Sequence, residues 1–371
     1  MPNRLGIASM SLGRPGIHDL PSKLHQAALH GYEGIELFFD DLDHLAQTLY
    51  DGDHRAAAHH VRQLCISLGL TIICLQPFGF YEGLLDRAQH DRLVTDKLPQ
   101  WFELARLLDT DLIQIPSNFL PADPVTGAAR TSGDRALIVA DLQRVADRGL
   151  QCNPPIRFVY EALCWGNHVD TWEASWEIVQ QVDRPNFGLC LDTFNLAGRV
   201  YADPAATSGT TPNAAADLAA SLATLRATVD PAKVFYVQVV DGERLAAPLD
   251  ENHPFHVHGQ PPRMSWSRNA RLFAFEEDRG GYLPVLETAR AFFDTGFEGW
   301  VSLELFSRTL ADPDPATPQR HAQRGYESWK KLVAALGLNT SERSGAKEFE
   351  STSAALSVQH RFMLSLSVTN A

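Results

Sequence analysis

Eight short β-rich apolar runs alternate with eight helix-period segments, and no other property narrows the fold of this 371-residue chain so far. The runs fall at residues 5–10, 34–38, 71–75, 112–115, 157–161, 187–192, 234–240 and 300–304. Amphipathic stretches follow them at 21–30, 42–68, 91–108, 134–148, 171–182, 214–229, 283–295 and 318–336. In one of these, Trp172, Trp176 and Val179 recur at the period of a single helical face. Gly69 and Gly296 stand just past predicted helices, where a residue without Cβ takes the left-handed cap. Repeated β-α units build a parallel sheet, and eight of them close into a (β/α)8, or TIM, barrel. The competing open sheet loses its best support, because no G-x-G-x-x-G follows the first run. Residues 1–338 therefore read as one barrel domain.

Two segments break the rhythm. Residues 241–277 are too long for an ordinary connection after the seventh strand and carry HPFHVHGQPPRMSWSRNARLF, the profile of a lid or binding loop. Residues 339–371 are Ser/Thr-rich and aperiodic, and are expected to form a loosely packed or flexible tail.

Lys plus Arg is 32 and Asp plus Glu is 45, a formal charge of −13. That balance repels phosphate backbones and anionic lipid, so the chain is expected to bind neither nucleic acid nor membrane. Five cysteines without a C-x-x-C pair read as free thiols of a reducing compartment. The start lacks an apolar stretch of signal-peptide length, and no run reaches the roughly 18 apolar residues of a membrane span. A soluble cytoplasmic protein is the expectation. A homo-oligomer is compatible with it, though no residue pattern specifies one.

In such a barrel, side chains at the carboxyl ends of the strands meet around one pocket. Those ends read Glu36, Gln76, Asn118, Glu161, Asp192, Gln238 and Glu304. The last four close the runs FVYE, GLCLD, FYVQ and VSLE, where an ionised acid is costly unless paired, solvated or metal-bound. One acid at a strand tip is ordinary, but oxygen donors on four successive strands form a hard set suited to Mg²⁺, Mn²⁺ or Co²⁺. A rival set, His253, His256 and His258, has zinc-like chemistry but sits among Pro254, Gly259, Pro261 and Pro262, as an irregular lid would. Trp165 and Phe194 are candidates either for the pocket wall or for the core.

The residues LGIASMSLGR, GYEGIELFFDDL, IPSNFLP, FVYEALCWGNHVDTW, LCLDTFNLAGR, VFYVQVVDGERL, MSWSRNARLF and VSLELFSR resemble the fungal 3-dehydroshikimate dehydratases of quinate catabolism. These belong to the xylose-isomerase-like superfamily of metal-dependent barrels, and the resemblance spans about residues 4–337. It implies metal ligands at Glu161, Asp192, Gln238 and Glu304, with Glu161 and Glu304 also serving catalysis. It implies an acid/base role for His168, in the motif E-A-L-x-W-G-x-H. Many relatives carry His three residues after the Asp ligand, where this chain has Asn195, which cannot act as a base near neutral pH. Asn195 and Glu36 are left as candidates for orienting substrate hydroxyls.

Arg263, Arg268 and Arg271, with Ser265 and Ser267, lie in the long loop and could be a solvated face. Planar guanidinium donors also fit a substrate carboxylate, and the resemblance favours that role for Ser267, Arg268 and Arg271. The implied reaction dehydrates 3-dehydroshikimate to protocatechuate. A metal-dependent sugar or polyol isomerase or epimerase shares the metal chemistry but leaves the arginines without a carboxylate. A non-catalytic metabolite-binding barrel would have little use for four intact ligand positions.

Overall fold

The computed structural model describes residues 2–340. The eight barrel strands are Arg4–Ala8, Gly34–Phe38, Thr71–Gln76, Leu112–Pro116, Arg157–Glu161, Phe187–Asp192, Val234–Gln238 and Trp300–Leu303. Each pairs in parallel with its neighbours, and the first closes on the eighth through Arg4↔Trp300 to Ile7↔Leu303. The expected TIM barrel is therefore present, with strand boundaries within two residues of the sequence reading throughout. The expected tail from 339 lies almost wholly outside the described residues.

The strands close because their residues are apolar on both faces, as a sheet covered by helices requires. Outward side chains pack under the helices, while Cys74, Leu112, Val159, Cys190 and Tyr236 form a separate apolar cluster inside the barrel. Strand side chains alternate faces. Two positions further along the same strands stand Gln76, Gln114, Glu161, Asp192 and Gln238, so the barrel interior changes from an apolar floor to a polar layer.

Two helical stretches differ from the sequence reading. Residues 42–68 are two helices, Phe39–Leu49 and His54–Leu68. Asp51 and Gly52 take positive φ between them, and Asp53 caps the second helix through the N–H groups of Arg55 and Ala56. Side-chain periodicity alone did not register that turn. The long connection after the seventh strand is also more ordered than an irregular loop. Its strands Asp241–Gly242 and Arg271–Leu272 pair antiparallel and bracket a helix, Pro262–Ala270. Among the described residues no helix is long and apolar enough to cross a membrane.

Candidate metal centre and active site

Glu161, Asp192 and Glu304 each offer a carboxylate oxygen within 4.8 Å of the others, and all three are buried. Among the described residues this is the group of acids, histidines and cysteines close enough to hold a metal ion. Gln238, on the strand between those of Asp192 and Glu304, donates Nε2 to Glu36 Oε2 at 2.9 Å and leaves its own Oε1 buried without a partner. An orphaned amide oxygen on the intervening strand and three clustered acids are hard oxygen donors, so these four residues fit a divalent cation by the chemistry of their donors.

Crowding acids out of water raises their proton affinity. Burial first, then the charges of Glu304 and Asp192, push Glu161 well above the usual carboxylate range. Glu304 rises to about 8, chiefly through burial, with Arg271 opposing. Asp192 is raised by burial too, against Arg271 and the N–H groups of Phe194 and Asn195. A divalent cation is the counter-charge that would keep such acids ionised.

Neighbouring donors fix the acids. Asn195 Nδ2 donates to Glu161 Oε1 and to Asp192 Oδ2, each at 2.7 Å, while its Oδ1 accepts from the Cys164 N–H at 3.0 Å. Gln114 Nε2 donates to Glu161 Oε2. Arg271 Nη1 reaches Asp192 Oδ2 at 3.2 Å and Glu304 Oε2 at 3.0 Å, and its Nε donates to Ser267 Oγ at 3.0 Å. The guanidinium also lies over the rings of Phe194 and Phe306, 4.4 and 5.1 Å from their centroids.

Above this layer opens a cavity of about 560 Å³, whose lining includes Glu161, Glu304, Gln76, Gln114, Ser267, Arg268 and Arg271. Trp165 is part of its wall, as one of the two readings had it. Phe194 is core instead, its ring tilted against that of Trp266 with centroids 4.5 Å apart.

Several of the expected site residues are placed away from the cavity or already have partners within the protein. Asn195 is buried, with its amide committed to two acids and a backbone N–H. Glu36 is fully buried, raised to about 7 chiefly by burial, and accepts from Gln76, Tyr236 and Gln238 instead of facing the cavity. Arg271 reaches the cavity wall, but its charge already answers Asp192 and Glu304. His168 is exposed, bonds Thr131 Oγ1 through Nε2 at 3.1 Å, and is not part of the cavity lining. Asn167 donates to the same Thr131 hydroxyl and to the Leu120 carbonyl, so this stretch of the motif fastens the fifth loop to the fourth. The three loop histidines form no metal-binding group among the described residues. Asn118 is tied to Glu82 and not to the cavity.

Gln114, Arg14 and Asp40 line the cavity and escaped the sequence reading. For Gln114 the signal was available: it stands two residues beyond the interior Leu112, on the same strand face as the floor. Arg14 sits in the first loop and Asp40 in the first turn of the helix Phe39–Leu49, ahead of the stretch read as helical from the sequence, so no periodicity marked their direction.

A closed parallel barrel with an acid-rich centre at the carboxyl ends of its strands defines a class of metal-binding (β/α)8 proteins. The chain belongs to the xylose isomerase-like TIM barrel family, whose model matches residues 24–332. It is 54% identical to a Neurospora crassa protein named 3-dehydroshikimate dehydratase, over 91% of this chain and 95% of that protein. A Pseudomonas aeruginosa protein of the same name is 33% identical over 78% of this chain, which spans only 36% of that relative. Among solved structures, a xylose isomerase-like TIM barrel/4-hydroxyphenylpyruvate dioxygenase fusion protein matches with a TM-score of 0.68 and 28% identity, covering 91% of this chain and 43% of the fusion.

Proposed function

We propose that this chain is a 3-dehydroshikimate dehydratase, a hydro-lyase that converts 3-dehydroshikimate to protocatechuate and water. The near full-length 54% identity to the Neurospora crassa protein of that name carries the proposal. The acid centre beneath a substrate-sized cavity supports it. In this reading Glu161, Asp192, Gln238 and Glu304 hold Mn²⁺, Co²⁺ or Mg²⁺, which would stabilise negative charge developing on the substrate's ketone oxygen. Asn195, Gln114 and Arg271 keep the acids in one geometry, so that little reorganisation accompanies the reaction. Elimination removes the proton beside the ketone and expels the hydroxyl of the next ring carbon as water; the resulting dienone then enolises, losing a ring methylene proton and gaining one on the ketone oxygen, to give the aromatic ring. Five free cysteines, four of them buried, support a reducing, cytoplasmic setting.

A group in the cavity must accept the proton. Asp40 is the cavity-lining acid outside the metal set, and burial together with Asp41 and Asp43 raises its proton affinity. Paired variants assign the role. Asp40→Asn should lose turnover by about 10²-fold or more, and His168→Ala should stay within a few-fold of the parent. The reverse pattern returns the role to His168, as the family motif implies.

The test of the function itself is direct. Protein loaded with Mn²⁺ and given 3-dehydroshikimate should produce protocatechuate, followed by ultraviolet absorbance. A folded, metal-loaded protein that makes none, yet epimerises neutral ketoses, would overturn the reading in favour of a sugar epimerase.

A further inference from the structure

We propose that Arg14 and Arg268 form the clasp that receives the substrate's carboxylate at the mouth of the cavity, and that Arg271 does not. This rests on the dehydratase reading, since it concerns where the anionic end of that substrate is held.

Three arginines line the cavity, and their surroundings differ. Arg271 is 1% exposed, with Nη1 directed at two carboxylates and the Glu304 carbonyl and Nε at Ser267. Turning it toward a ligand would leave Asp192 and Glu304 without the donor that faces them, a heavy cost for buried charges. Arg268 instead donates Nη1 to the neutral amide oxygen of Gln260 at 3.2 Å and has no acid within ion-pair distance among the described residues. Arg14 is half-buried, and its side chain has neither an ion pair nor a hydrogen bond among the described residues. In a chain of net charge −13, where most arginines find an acid, two unanswered guanidiniums facing one cavity are informative. Neither is paired with an acid because their partner arrives from solution.

The backbone places both on one side of the mouth. The Arg14 N–H donates to the Leu310 carbonyl at 3.2 Å, which fastens the first loop to the short helix Arg308–Ala311. Arg268 is in the last turn of the helix Pro262–Ala270, whose Ala270 bridges to Ser307, just before that same short helix. Both arginines are thus anchored to the segment that follows Glu304. The acid centre sits deeper, on the strands. An anionic group at the rim and a neutral oxygen-bearing face toward the acids is the one orientation in which a carboxylate avoids the acid layer. Planar guanidiniums suit a carboxylate, and their position at the mouth also draws an anion into an otherwise acidic molecule.

The test compares equilibrium binding of protocatechuate and of catechol, the same ring without the carboxylate, to Mn²⁺-loaded protein by isothermal titration. The parent should favour protocatechuate strongly. Arg14→Gln and Arg268→Gln should each weaken protocatechuate binding by roughly tenfold, leave catechol nearly unchanged, and together erase the preference. Metal content and melting temperature should match the parent, because neither side chain touches the acids. Arg271→Lys, which keeps a positive charge beside Asp192 and Glu304, should retain the preference. If both rim variants keep the preference while Arg271→Lys loses it, the clasp is Arg271 and the proposal fails. Turnover of 3-dehydroshikimate by the parent, measured alongside, decides the dehydratase reading separately, since the binding ratio requires no turnover.

Discussion

Asn195 shows how one side chain can change role without leaving the site. Where the family resemblance implies a histidine, this chain places an amide that donates to Glu161 and Asp192 at once and accepts from the Cys164 N–H. An amide does this at any pH, whereas an imidazole would carry a proton that depends on the acids around it. Asn195→Leu should therefore leave both acids short of a donor. We expect its Mn²⁺ affinity to fall about tenfold, near 1.4 kcal/mol, measured by titration calorimetry on folded protein. Glu161→Ala and Glu304→Ala remove ligands outright. Each should abolish Mn²⁺ binding while the far-ultraviolet circular dichroism stays that of the parent, since acids at strand tips add little to the apolar floor.

At the scale of elements, the loop after the fifth strand carries the residues that most mark the family resemblance, and its packing explains them. A Cβ on Gly166 would collide with the Val169 carbonyl oxygen and lie 2.6 Å from Ser117 Oγ, so only glycine lets the turn close against the fourth loop. Gly166→Ala should destabilise the protein by about 1–3 kcal/mol in urea unfolding and lower turnover by displacing Trp165 from the cavity wall. The C-terminal helix Thr317–Leu336 carries a second such constraint. His321 is buried, bonded to the Thr317 carbonyl and the Thr309 hydroxyl, and burial lowers its proton affinity to about 4. An unfolded histidine binds a proton near pH 6.5, so the stability this site contributes is complete above that pH and is lost as pH falls from 6.5 toward 4. The loss approaches about 3 kcal/mol. His321→Gln should flatten that part of the stability profile in denaturant titrations from pH 7 to pH 4.

For the molecule as a whole, the acid centre couples metal binding to folding. A cation that binds the folded barrel and not the unfolded chain stabilises it by mass action, about 2.7 kcal/mol at a hundred times its dissociation constant. Thermal unfolding should therefore shift upward by several degrees on adding Mn²⁺ and fall back on chelation, and the shift should vanish in Glu304→Ala. A melting temperature indifferent to Mn²⁺ in the parent would remove the metal centre from the description.

The barrel was legible because its signal is local and repeated. Hydrophobic period, strand length and helix-ending glycines are read from a few neighbouring residues, and eight repetitions leave little choice of topology. The three acids that meet, Glu161, Asp192 and Glu304, were legible for the same reason: a polar oxygen donor ending an apolar run is visible in one dimension, and the barrel rule then brings the ends together. Gln238 was read with them, and its buried oxygen without a partner supports the proposal of a fourth ligand. Partnership between distant residues was not legible. Arg271 and Arg268 stand three positions apart in one loop, yet one answers Asp192 and Glu304 and the other has no acid, because burial and reach are decided by strands far away in sequence. His168 and Glu161 lie seven apart on a shared motif, yet the first turns to Thr131 and the second to the buried acids Asp192 and Glu304. Sequence alone determined the architecture and the residue types at its mouth. The closed sheet decided which of those side chains face one another, because hydrogen bonds and charges act over a few ångströms of space and are indifferent to distance along the chain.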